Sequence, residues 1–375
     1  MKFGFEQQRG NRFFDLELNV PLILTDSNCV SEGSGWLGLT SAGNNLILNK
    51  LGHIAAVSPI TRETLWAVQL DEAKCQHWAY EHELYLLVSR SKLTRRDSRS
   101  GELIWETDLR GEIEAINLVT NRYVYTVTSD DENSLLHARS KEDGRIIWTL
   151  KDDGFGVFST ILCENGIIVL KNQHGCRALV EESGELLWDF RFEEWLSLNI
   201  PSTDSGGSVK LGLFVDGIVY LVVSAGYIAA IRSDDCELQW VHKVVIPDGV
   251  PQIDQLRNPS TLIHRNGELL FNIAQGSRKD NFLTVLNVTD GEIVFQSERN
   301  ISPSGCINPL VVGSNYVGGY GSHLSIFDID QKKFIFEWVH PKKAEPFGTA
   351  MVPFNNKLVT AHIQSSTVFW FEGKG

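Results

Sequence analysis

Short apolar runs separated by turn-prone Gly, Asn, Asp and Ser occupy the whole chain, and nowhere do apolar positions recur with a helical period. One phrase keeps returning: "SGELIWETDL" around Trp105, "EDGRIIWTL" around Trp148, "ESGELLWDF" around Trp188, "DDCELQWVH" around Trp240 and "TDGEIVFQS" around Phe295. Aligned on the aromatic, Trp66, Trp105, Trp148, Trp188, Trp240, Phe295 and Phe336 fall 39, 43, 40, 52, 55 and 41 residues apart. Gly101, Gly144, Gly184 and Gly291 stand four positions before it, and Ala56, Ala138, Ala178 and Ala230 stand ten before it. Upstream of each anchor lie further apolar runs, such as "VFSTILC", "GIIVLKN" and "CRALVEE" before Trp188. Each period therefore holds four strands of about five to seven residues joined by short turns.

Four antiparallel strands in each repeat of roughly 40–45 residues define a β-propeller blade. A blade cannot bury both faces alone, so the recurring tryptophan is expected between adjacent blades, filling area that a smaller side chain would leave void. The glycine makes the turn into the fourth strand, where positive φ costs least for Gly. Where Arg62, Cys236 or Lys332 replaces it, a different turn type is expected. At the N-terminus, "GNRFFDLEL" (10–18) aligns with "GELIWETDL" (101–109), which puts Phe14 at the anchor position and Leu18 opposite Leu109. Residues 348–372 hold three runs with no fourth. The expectation is a single all-β domain over 1–375, an eight-bladed propeller whose last blade takes 10–18 as its outer strand and so leaves no free edge. If 10–18 instead decorates the surface, the count is seven.

The pattern A-x-D-x-x-[TS]-G-x-x-x-W, carried best by "ARSKEDGRIIW" (138–148) and "ALVEESGELLW" (178–188), resembles the PQQ-like (quinoprotein-type) propeller repeat, with Asp97 and Asp328 at its aspartate position. WD-repeat and kelch patterns fit less well, because no Trp-Asp dipeptide closes a blade and no Gly-Gly pair recurs in register. The resemblance implies the propeller and does not decide chemistry. Enzymes of this type hold a quinone beside a Ca²⁺ site of Glu, Asn and Asp, and no such cluster is recognisable here. Another branch, the lipoprotein scaffold of outer-membrane barrel assembly, binds protein rather than cofactor, but its lipobox is not found in this sequence. The chain reads as a non-enzymatic member, with no cofactor and no metal.

Charge narrows the partners. The formal net charge is −13, from 34 basic and 47 acidic residues, which argues against nucleic acid because phosphate binding needs clustered Lys and Arg. No run of eighteen apolar residues occurs, so no membrane-spanning helix is expected. The N-terminus lacks an apolar signal-peptide core. Cys29, Cys75, Cys163, Cys176, Cys236 and Cys306 are scattered, with neither an adjacent pair nor CxxC. Together these suggest reduced thiols and a cytoplasmic location.

No catalytic constellation emerges. "TDSGGS" (203–208) lacks the positioned base that a serine nucleophile needs. His53 and His323 begin equivalent third strands without metal-ligand spacing, and "DDEN" (130–133) lacks the glycine and distant Glu of a calcium loop. The irregular connections are more informative. Residues 19–34, 192–207 and 243–258 each join a fourth strand to the next first strand, on the face shared with second-to-third-strand loops such as 129–134. Long loops on a rigid β scaffold usually carry binding. Trp195 lies outside the repeat register, with Glu193 and Glu194 before it, Asp248 and Asp254 on the next long loop, and Asp130 and Asp131 on 129–134. An aromatic ringed by acids suits a partner protein with a basic surface. The expected function is a non-catalytic scaffold binding another protein through this face, for example as a cytosolic inhibitor of immunity type. The alternative is a quinoprotein-like or sugar-processing enzyme with its site at the channel mouth.

Overall fold

A computed structural model describes residues 12–29, 37–50, 52–70, 75–89, 91–109, 112–129, 134–153, 160–171, 175–191, 209–223, 227–244, 262–275, 280–297, 309–320, 323–339, 351–362 and 367–374. Every regular element among them is a strand, thirty-three in chain order. β1 (Phe13–Phe14) and β2 (Leu22–Cys29) come first. Blade one is β3 (Leu37–Ala42), β4 (Asn45–Lys50), β5 (His53–Val57) and β6 (Thr64–Gln69). Blades two to seven repeat this plan through β7 to β30, and β31 (Met351–Phe354), β32 (Lys357–His362) and β33 (Thr367–Gly373) close the chain. Eight antiparallel four-stranded blades make this an eight-bladed β-propeller.

The chain forms two compact units, one of 21–157 with 345–375 and 1–9, the other of 158–344 with 10–20. The first holds blades one to three and the sheet β2-β33-β32-β31. The second holds blades four to seven, with β1 on the edge of the seventh.

All eight sheets break register at the same place. In blade three, Ala138 pairs with Trp148 and Arg139 with Ile146, so Ile147 is the extra residue of a β-bulge. The same step precedes Trp66, Trp105, Trp188, Trp240, Phe295 and Phe336. A bulge twists its strand and re-aims the residues beside it. Each anchor follows such a step, and in blades two to four the two aliphatic residues before it are left half-exposed (Leu103 45%, Ile104 47%). The recurring alanine is explained by the pairing: Ala56, Ala138, Ala178 and Ala230 lie directly opposite their tryptophans, each fully buried.

The aromatic reaches the next blade. The indole N–H of Trp66 donates to Ser98 O at 2.9 Å, Trp105 to Lys141 O at 2.8 Å, Trp188 to Ser233 O at 2.8 Å and Trp240 to Val288 O at 2.7 Å. Each acceptor stands three residues before the turn glycine or its replacement. That glycine has two reasons to be glycine. Gly101, Gly144 and Gly291 take φ of 77°, 75° and 74°, and a Cβ on any of them would lie 2.5–2.8 Å from the docked ring.

The expected change of turn type at the replaced positions does not occur. Arg62, Cys236 and Lys332 adopt φ of 65°, 63° and 53°. Arg62 N donates to Ser58 O and Cys236 N to Arg232 O, the bond that Gly101 and Gly144 make to Asp97 and Ser140. The bulge and the backbone bond dictate the turn, and the side chain accepts the strain of positive φ.

A second correction concerns the outer strand of the last blade. It is β2, not 10–18: Leu22 to Cys29 pair antiparallel with Gly373 to Thr367, with the usual bulge between Leu24 and Asp26. The anchor position there is held by Asp26, which has no aromatic ring, so a search keyed on aromatics passes over it. Residues 19–34 are thus in part a strand rather than a long loop. Phe13 and Phe14 instead pair in parallel with Val311 and Val312.

Two predictions follow from these contacts. Gly144→Ala meets both positive φ and the Trp105 ring, whereas Gly166→Ala meets φ of 77° with nothing within 4 Å. Gly166→Ala should cost about 1–2 kcal/mol from backbone strain alone, and Gly144→Ala about 1–3 kcal/mol more from overpacking. Equal denaturation midpoints for the two would refute the docking role of the glycine. Truncation separates the two N-terminal strands. Deleting 1–18 removes none of the eight four-stranded sheets and should keep a single cooperative melt, while deleting 1–29 unpairs β33 and should cause far earlier aggregation, as read by light scattering during a thermal melt.

Candidate functional site

The antiparallel plan sends second-to-third-strand and fourth-to-first-strand connections out of the same end of each sheet. In blade five, β19 (Val209–Val215), β20 (Ile218–Val223), β21 (Tyr227–Arg232) and β22 (Leu238–Lys243) bring Val209, Val223, Tyr227 and Lys243 into one row at that end. The connection 192–208 enters this row at Val209, and 245–261 leaves just beyond Lys243. Both long connections therefore root on a single sheet. At their base the Lys243 ammonium lies 5.5 Å from the Tyr227 ring centroid, a cation–π contact at the end of the blade.

Glu193, Glu194, Trp195, Asp248 and Asp254 all lie outside the described residues, as do Asp130, Asp131 and "TDSGGS". Asp130 and Asp131 belong to the connection between β12 (Tyr123–Ser129) and β13 (Ser134–Ser140) in the other compact unit. His53 and His323 do begin equivalent third strands. His53 is exposed, and His323 Nδ1 lies 3.4 Å from Glu337 Oε1.

Sequence reading missed the polar seams that join blades. Between blades two and three, Glu83 takes Lys141 Nζ and Tyr85 OH at 2.7 Å each, and also Arg95 Nη2. Arg95 Nη1 donates to Lys141 O at 2.6 Å, the same carbonyl that Trp105 uses, and Lys141 Nζ lies 4.2 Å from the Tyr80 ring centroid. Burial alone would raise the Glu83 carboxyl, but Lys141 and Tyr85 hydrogen bonds and the Lys141 and Arg95 charges hold it below its ordinary value. Between blades four and five, Glu164 accepts the N–H groups of Asp216 (3.0 Å) and Gly217 (2.9 Å). Between blades six and seven, Arg265 reaches Gly313 O at 2.9 Å and Asp330 Oδ1 at 3.1 Å. Nothing in a one-dimensional motif marks these pairs, because their members are far apart in sequence.

The histidines His77 and His137 and the thiols of Cys75 and Cys236 are held in neutral forms. Burial lowers His77 to about 4, with its Nδ1 3.2 Å from Asn49 Nδ2. Burial and then Arg139 lower His137 to about 4, and its two ring nitrogens contact Thr128 and Thr149 hydroxyls at 3.1 and 2.8 Å. Burial pushes the thiol of Cys75 up to about 12 and that of Cys236 up to about 11. A protonated thiol is a poor nucleophile and a poor metal ligand.

Residues 50–189 match a family model described as outer membrane protein assembly factor BamB. The relatives include the outer membrane protein assembly factor BamB of Yersinia pestis, 23% identical over 315 residues, covering 71% of this chain and 77% of that one. The crystal structure of BamB from Moraxella catarrhalis superposes with a TM-score of 0.65 at 14% identity, over 94% of this chain and 100% of that one. Quinohemoprotein alcohol dehydrogenase from Comamonas testosteroni gives a TM-score of 0.61 at 10% identity, over 94% and 77%. This chain is a PQQ-like repeat propeller. For this PQQ-like propeller, likeness at such low identity to both a scaffold and an enzyme establishes the fold and leaves the activity to other arguments.

The cytoplasmic location is overturned by the same relatives, which are named for outer membrane protein assembly. The inference from cysteines fails for a physical reason. In this PQQ-like propeller burial keeps thiols protonated and unreactive, so free cysteines report packing rather than the redox state of a compartment.

Proposed function

We propose that this protein is a non-catalytic scaffold that binds other proteins during outer membrane protein assembly. The observation that carries the proposal is the full-length correspondence with a BamB structure, joined to sequence similarity with curated BamB proteins. The seam groups support it, since Glu83, Glu164 and Arg265 are committed to holding neighbouring blades together. The cytosolic inhibitor reading falls with the cytoplasmic location.

Within this reading, the partner docks on the connections rooted at the end of blade five. The segment 192–208 carries Glu193, Glu194 and Asp204 with no Lys or Arg, and 245–261 carries Asp248 and Asp254 against Arg257 alone. Trp195 supplies an aromatic anchor, and the acidic residues favour a basic partner surface.

Partners captured by cross-linking in the native cell and identified by mass spectrometry provide the binding assay. Glu193→Lys with Glu194→Lys should leave the melting temperature unchanged, slow association and flatten its salt dependence. Trp195→Ala should mainly raise the dissociation rate. Wild-type rates for both variants would remove this face from the proposal. A separate measurement tests the non-catalytic assignment. Pyrroloquinoline quinone with Ca²⁺ should leave the thermal melt unshifted, whereas a ligand at 100 times its Kd would add about 2.7 kcal/mol. A saturable upward shift would return the chain to the enzymes.

A further inference from the structure

Blade seven has a strand that no blade needs. β27 (Leu310–Val312), β28 (Asn315–Tyr320), β29 (His323–Asp328) and β30 (Lys333–Val339) already form the four-stranded unit, and β1 is added on the first-strand edge. Among the described pairings it is the one parallel pair, and it joins only two residues of each strand. Its bonds to that edge are Val311 N–H to Arg12 O and Gly313 N–H to Phe14 O, both 3.0 Å, with Asn315 Nδ2 to Leu18 O at 3.1 Å just beyond.

The segment has the chemistry of an extended peptide ligand. Asp15, Glu17 and Asn19 are exposed, while Leu16 is half-buried and Leu18 buried, so polarity alternates with period two. Phe13 packs against a cluster containing Ile263, Val311, Tyr316 and Phe327. Backbone bonds to an open edge, with side-chain pockets at alternate positions, are the means by which proteins recognise extended peptides. A parallel two-residue ladder is a weak holder of such a place, because parallel pairing is slightly less stable per residue and few bonds resist local opening.

We infer that the first-strand edge of β27 is a strand-exchange site, occupied in cis by residues 12–18 and open to an extended segment of a partner polypeptide with alternating apolar and polar residues. The inference rests on the protein-binding reading above and concerns a different surface from the blade-five connections. Displacement leaves β27 to β30 intact, since their own ladders do not involve β1. Removing the segment without a replacement would leave the N–H groups of Val311 and Gly313 unpaired, an edge that favours capture of another strand.

The probe is a fluorescent peptide of the sequence RFFDLEL, titrated into the full chain and into its Phe13→Asp variant, with a peptide bearing Asp in place of both Phe as control. Phe13→Asp should weaken the resident segment and tighten peptide binding at least tenfold, with the control peptide inert. A folded variant with no gain in peptide affinity overturns the inference. So does a concentration-dependent dimer of the variant that excludes the peptide, which would assign the edge to a second copy. Should the variant fail to fold, hydrogen exchange of the wild-type chain decides. The Val311 and Gly313 amides must exchange by local opening, well before the amides shared by β28 and β29, and equal protection overturns the inference. Because the peptide titration needs no native partner, its outcome is independent of the cross-linking experiment on Glu193, Glu194 and Trp195.

Discussion

An indole ring set on the turn of the following blade is the contact on which the blade stack depends. It unites three features of the repeat that look separate in the sequence. The bulge re-aims the fourth strand at the anchor, the opposing alanine leaves room behind it, and the glycine four residues before the next anchor leaves room ahead. The indole N–H then donates to a turn carbonyl of that blade. Dispersion over a large ring and one satisfied hydrogen bond act at the same point. In each of these four seams one blade carries the ring and the next carries the turn that receives it, so the contact passes from repeat to repeat within a compact unit, as in other repeat proteins.

The exception in the first compact unit supports this account. Blade one follows the sheet closed by β2, whose anchor position is Asp26, so no indole arrives from it. The residue at the glycine position of blade one is accordingly free to be large, and it is Arg62. Its guanidinium reaches back to Thr25 Oγ1 at 2.8 Å and Glu372 Oε1 at 3.2 Å, and lies 5.7 Å from the centroid of the Trp370 ring. Lys357 holds the same carboxylate at 3.0 Å, and hydrogen bonding from Lys357, then from Arg62, keeps Glu372 below its ordinary value. A folded pKa below the unfolded one gives stability that is present above the ordinary carboxylate range and lost as pH falls through the folded value. This seam therefore weakens in acid, and its half-exposed groups make the contribution small. The indole-docked seams carry no such dependence in the docking bond itself.

Legibility in the sequence follows the same division. The blade plan, the count of eight and the roles of Trp105 and Trp188 as seam residues were readable because a repeat displays each contact several times. The outer strand of the last blade was misplaced because "LILTDSNC" has Asp26 where the motif has an aromatic, while "RFFDLEL" has Phe14 at the right spacing by coincidence. The turns at Arg62, Cys236 and Lys332 were misread because residue type was weighted above the backbone bond that fixes them. The seams built on Glu83, Glu164 and Arg265 were invisible, since each joins partners about 50 or more residues apart without a repeating signature. Of the candidate partner site, the sequence supplied the residues and the topology supplied one fact, the common root at Val209 and Lys243.

That common root bears on what the acidic balance is for. Inside the blades, carboxylates are matched: Glu83 by Lys141 and Arg95, Asp189 by Arg177, Asp330 by Arg265, Glu372 by Lys357 and Arg62. Matched charges of this kind cancel at a distance of a few ångströms and contribute little to the field that a partner meets. The net charge of −13 must then be carried by groups outside the seams. The two connections rooted on blade five hold five acidic residues against one arginine, a local imbalance steeper than that of the whole chain. Both connections leave the described strands from one row, at Val209 and beside Lys243. Long-range attraction of a basic surface works through local imbalance of charge, whereas uniform scatter of the same charge serves only solubility.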